Sequence, residues 1–238
     1  MLKSIFTQRI KRVVSVAIIT AIALTLLSTI ISAQNKTSAF NHNDFYTSVF
    51  NSEEFKSIDD NSLRIKMLQL PDDAIKQMDT ATLAKAVLDY PFFTNIYAYD
   101  DVHIGAYIQL GINKGYQELS KRPDAARVLL DMYIAFEIIP QDKAQYMDDI
   151  TLGNAVIELN NLEVLLAQDF VTQNLDDKEL TMLDESVLAK FIDKSETPAY
   201  GTATTAFYDV FFATCRRFHK IKNWQFSVNT RICLYAER

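Results

Sequence analysis

The chain has 238 residues, 24 Lys and Arg against 30 Asp and Glu, and only five Gly and five Pro. That length supports one large or two small domains with a real core. The acidic balance excludes nucleic acid as an expected partner, because it repels phosphate backbones, and the scarcity of Gly and Pro leaves few residues to punctuate strands, so helix is the expected state throughout.

Residues Val13 to Ile31 form an uncharged run, preceded by Lys3, Arg9, Lys11 and Arg12 with no acid before it. This is the layout of a bacterial export signal. Ile31-Ser32-Ala33 offers a small-residue cleavage site, so residues 1–33 are expected to be a signal peptide removed after Ala33. An uncleaved membrane anchor competes with that reading, since the run is long enough to span a bilayer. Membrane contact would then pass only through residues 13–31, with the basic end inside. Both readings put the remaining chain outside, secreted into the cell envelope or anchored on the outer face of the cytoplasmic membrane. Past Ala33 the chain keeps 20 Lys and Arg against 30 Asp and Glu, an acidic product.

An acidic helical domain is expected over 34–197. Asn43 is placed to cap a helix carrying Phe45, Val49 and Phe50, and Asp60 to cap one carrying Leu63, Met67 and Leu70. Thr80 is expected to cap a helix with Leu83, Ala84, Val87 and Leu88 inward, ending near Tyr90 because Pro91 disfavours helical geometry before it. The aromatic stretch from Pro91 to Tyr107, with Phe92, Phe93, Tyr97, Tyr99 and His103, would line a groove for a peptide or glycan or fill the core. The single helical stripe of Phe93, Ile96 and Tyr97 favours the core. Gly105, Gly111 and Gly115 read as helix ends or close packing points.

Pro123 and Asp124 open an apolar run through Ala126, Leu129, Leu130, Met132, Tyr133, Phe136 and Ile138. A helix so apolar around its circumference belongs at the centre of the fold. Ala155, Leu159, Leu162, Leu166 and Phe170 make another face. Asp176 with Glu179 caps the last helix, whose inner face is read as Leu180, Leu183, Val187, Leu188, Phe191 and Ile192.

Five Asp-Asp pairs stand at Asp59, Asp72, Asp100, Asp148 and Asp176 with the residue after each. Adjacent carboxylates bind calcium or share a proton in some sites. Here most begin an expected helix, where a carboxylate caps backbone N–H groups and favours the helix dipole.

Residues 198–238 are expected to be a basic tail, carrying Arg216, Arg217, Lys220, Lys222, Arg231 and Arg238 against Asp209 and Glu237. The tail also holds Cys215, His219, Trp224 and Cys233. Three ligands at that spacing lack a fourth, so no metal and no cofactor are expected. Cys215 and His219 are weak candidates for a catalytic pair, against which a Cys215 to Cys233 disulfide is the plainer expectation in an exported chain. His42 and His103 have no evident partners.

The stretch Asp79-Thr80-Ala81-Thr82-Leu83 to Val87-Leu88-Asp89-Tyr90-Pro91, continued by Ile96-Tyr97-Ala98-Tyr99-Asp100, Gln117-Glu118-Leu119 and Arg122-Pro123-Asp124-Ala125-Ala126, resembles a helical module of exported Firmicutes and Bacteroidetes proteins. Some members of that group continue into a Cys/His hydrolase-like segment with a Tyr-Asn-Cys-His-Ser-Tyr motif. This chain departs there, since Cys215 is followed by Arg216-Arg217, and the charge reversal after Pro198 fits a truncated or frame-shifted tail.

The expectation is therefore an all-α protein, an irregular helical bundle or helix-pair array. Its expected role is a non-enzymatic interaction module that binds a protein or glycan. The alternative is the helical part of a cysteine hydrolase acting on peptide or cell-wall substrates.

Overall fold

The computed structural model describes residues 40–200, apart from the side chain of His103. The leader, its cleavage site, Cys215, His219, Trp224, Cys233 and the charge reversal lie outside the described residues. A boundary between Asn41 and His42 divides the chain into two units, and every element below belongs to the second.

The described residues form helices and no strand. In order they are α1 (His42–Asn51), α2 (Glu53–Ser57), α3 (Asn61–Met67), α4 (Asp72–Gln77) and α5 (Thr80–Leu88). After a 3-10 turn (Phe93–Ala98) come α6 (Val102–Gly111), α7 (Lys114–Leu119), α8 (Ala125–Ala135) and α9 (Gln141–Ala144). The long α10 (Asp149–Leu166), α11 (Asp169–Thr172) and α12 (Asp177–Ser195) follow, closed by a second 3-10 turn (Pro198–Tyr200). None of these is long and apolar enough to cross a membrane.

Side-chain caps set most helix starts. Ser52, Asp60, Asp79, Asn113, Asp148 and Asp176 each accept a backbone N–H from the first turn that follows. Each satisfies a donor that a helix start otherwise leaves open. At α12 the bond is reciprocal: Glu179 returns a carboxylate to the Asp176 N–H at 3.0 Å. Three of the Asp pairs thus supply caps. Of the other two, Asp72 sits in the first turn of α4, and the Asp101 carboxylate accepts the Ile104 N–H in α6. The cap of α5 is Asp79 rather than Thr80, whose hydroxyl instead donates to Asp124 at 2.8 Å. Asn43 lies inside α1 rather than at its cap, and α1 buries His42 and Tyr46, with Phe45 and Val49 half-buried and Phe50 exposed.

α8 is the hub. It buries Ala125, Ala126, Leu129, Leu130 and Tyr133 and packs against α5, α10, α11 and α12. A helix apolar on several sides is stable only when neighbours cover those sides, as these four do. The helix stops at Ala135, so Phe136 and Ile138 lie beyond it. Arg122, at the turn before α8, donates to the carbonyls of Met78 (2.8 Å) and Ile75 (2.9 Å), closing the end of α4. α5 packs between α7 and α8 with Leu83, Ala84, Ala86 and Val87 fully buried.

Two inner faces differ from the sequence expectation. In α12 the buried positions are Leu180, Leu183, Val187, Lys190 and Lys194, while Ile192 is exposed and Leu188 half-buried. The stripe continues at helical spacing with two lysines instead of Leu188 and Ile192. In the aromatic stretch Phe93 and Ile96 are buried, but Tyr97 and Tyr107 face water.

Candidate interaction surface

α6 is built entirely from uncharged residues, and its two sides meet different surroundings. Gly105, Ala106 and Leu110 face inward, against the 3-10 turn and α7. The contact at Gly105 is close enough that a Cβ there would lie 2.2 Å from the Ile96 carbonyl oxygen. Only glycine permits that approach. At 3.6 residues per turn, the opposite side carries Ile104, Tyr107 and Ile108, with Gly111 on the same line. These three side chains are 54%, 84% and 40% exposed. Ile112 extends the strip past the helix end. Beside it, Tyr97 is exposed and its hydroxyl donates to Asn161 of α10 at 3.4 Å, one turn from the exposed Ile157. A helix with so few polar residues is ordinarily covered on most sides. Here the side turned to water stays uncovered.

A second arrangement lies inside. Glu163 of α10 is fully buried, and its Oε1 accepts from Lys194 of α12 at 2.5 Å and from the Tyr133 hydroxyl of α8 at 3.1 Å. Its Oε2 has no hydrogen-bond partner. Lys190 donates to the Phe136 carbonyl at the end of α8 and lies 5.2 Å over the Tyr133 ring. Burial pushes the Glu163 carboxyl above its usual range, with the Lys194 and Lys190 charges opposing. Burial and Glu163 together hold the Tyr133 phenol well above its ordinary value, and burial lowers Lys190. Such shifts occur in catalytic sites. The Glu163 side chain is 0% exposed, however. An open cavity of about 330 Å³ at the end of α12 is lined by Ile138, Pro140, Gln141, Asp193, Glu196 and Thr197, and none of the four cluster residues borders it. The arrangement joins three helices.

His42, without an evident partner in the sequence, donates its Nε2–H to the Asp89 carboxylate at 2.8 Å, tying α1 to the end of α5. Among the described residues no group of three or more His, Cys, Asp or Glu is placed to hold a metal ion. Cys215, His219 and Cys233 lie outside them. Sequence reasoning missed both arrangements. The uncharged twelve residues from Val102 to Asn113, longer than α6 itself, were the available signal for the first. Comparison with family models, with curated proteins and with solved structures finds no match.

Proposed function

We propose that this chain is an exported, non-enzymatic helical module that docks a partner on the outer side of the cytoplasmic membrane through α6. The observation that carries the reading is the exposure of Ile104, Tyr107 and Ile108 together on one side of a helix that carries no Asp, Glu, Lys or Arg. The apolar run of residues 13–31 behind four basic residues supports export. An irregular array of paired helices around α8, without a repeat, suits a scaffold that holds one helix outward. No observation among the described residues favours the hydrolase alternative.

A photo-reactive amino acid placed at Tyr107 in the producing cell tests this, with a second placed at exposed Glu185 of α12 as the control. The expected result is one adduct of defined mass at position 107, absent at 185 and lost when Ile104→Glu is added. Equal capture at both positions, or none at 107, contradicts it.

A further inference from the structure

We propose that the occupant of the α6 face is a basic amphipathic helix of another polypeptide, an assignment that rests on the docking role of α6 proposed above. The apolar strip accounts for one half of that chemistry. Ile104, Tyr107, Ile108 and Ile112 recur at the three- and four-residue steps that a helix laid alongside reads as an apolar ridge. Gly111 leaves a gap in the ridge: no atom lies within 4 Å of where its Cβ would stand. A bulky apolar side chain fits there.

The charges around the strip supply the other half. The 3-10 turn, α6 and α10 contain no Lys or Arg. Asp100 and Asp101, both exposed, open α6, and exposed Glu158 stands on α10 one turn before Asn161, the partner of Tyr97. Lys85 stands 3.6 Å from Glu158, and Lys114, just past the strip, is held by Asp72 at 2.7 Å. Residues 40–200 as a whole carry 13 Lys and Arg against 28 Asp and Glu. Carboxylates flanking an apolar strip attract a cationic amphipathic helix and speed its encounter. A second copy of this chain would bring the same carboxylates against each other, and an anionic lipid surface would meet the same repulsion.

The test is a fluorescence-anisotropy titration of the full chain with three labelled peptides. One is a Leu/Lys amphipathic helix of about 18 residues, long enough to be helical in isolation. The second is its scrambled isomer, and the third is a Leu/Glu amphipathic helix. The Leu/Lys peptide is expected to saturate, with binding that weakens as salt rises. Ile104→Ala with Tyr107→Ala should weaken it about tenfold or more, with an unchanged thermal melt. Asp100→Asn with Asp101→Asn should weaken it about threefold and flatten the salt dependence, since Asn keeps the cap acceptor. Equal binding of the scrambled peptide, or indifference to the two alanines, overturns the proposal. So does a dimer that Tyr107→Ala dissolves, or co-flotation of the protein alone with phosphatidylglycerol vesicles that Tyr107→Ala abolishes. If the Leu/Glu peptide binds instead and is lost with Tyr107→Ala, the charge assignment falls while the docking face stands. A failed crosslink at 107 removes the face itself.

Discussion

Lys194 Nζ lies 2.5 Å from Glu163 Oε1, and the two side chains are 5% and 0% exposed. Taking both charges out of water is costly, and their attraction offsets that cost only while both are present. Lys194→Met alone should therefore cost about 3–5 kcal/mol, because it strands a buried carboxylate. Replacing the three hydrogen-bonded side chains together, with Tyr133→Phe, Glu163→Leu and Lys194→Met, should recover most of that loss, since the carboxylate goes with its partners and Lys190 keeps the Phe136 carbonyl. Urea unfolding of the two variants gives the comparison. A single substitution that costs under about 1 kcal/mol would show that the pair is not buried as described.

Gly105 and Gly111 sit in the same helix and make opposite demands. Gly105→Ala forces a Cβ against the Ile96 backbone, which cannot rotate aside, and should cost about 1–3 kcal/mol. Gly111→Ala meets open space and should leave stability unchanged or raise it by up to about 1 kcal/mol. Thermal melts of both variants check the pair, and similar losses at the two positions would contradict the close approach of α6 to the 3-10 turn.

The cap of α10 gives stability a pH dependence with a definite sign. Asp148 accepts the Thr151 N–H at 2.9 Å and its hydroxyl at 2.7 Å, which hold the carboxyl below its ordinary 3.8. A folded-state value below the unfolded one contributes stability above that ordinary value and loses it as pH falls through the folded one. Asn keeps an acceptor at the cap but does not titrate in this range. Wild type should therefore be the more stable at neutral pH, with the gap to Asp148→Asn closing as the solution is acidified through the carboxylate range. Urea midpoints measured along that pH series provide the check, and a gap that widens on acidification would contradict it.

The sequence carried the helical class and much of the capping, because both are local. Asp60, Asp148 and Asp176 stand just before runs with helical spacing, and the rule that pairs them with backbone N–H groups needs no tertiary information. The apolar circumference of α8 pointed to a central helix for the same reason. What failed was the facing of residues whose surroundings come from distant parts of the chain. Lys190 and Lys194 continue the inward stripe of Leu180, Leu183 and Val187, but a lysine reads as outward until the carbonyl of Phe136 and the carboxylate of Glu163 are known to wait there. Leu188 and Ile192 were placed inside by hydrophobicity alone. The exposure of Tyr97 and Tyr107 was hidden in a different way. Periodicity separates apolar from polar sides, and neither the 3-10 turn nor α6 has a charged residue to mark which side meets water.

The fold holds the Ile104, Tyr107 and Ile108 side of α6 outward and does not depend on burying it. Ile104→Gln, Tyr107→Gln and Ile108→Gln together, followed by urea unfolding, test this most directly. The exposed positions predict a midpoint equal to wild type within about 0.5 kcal/mol per site, or above it. A loss of several kcal/mol would mean that these side chains are part of the core, and the docking account would be contradicted.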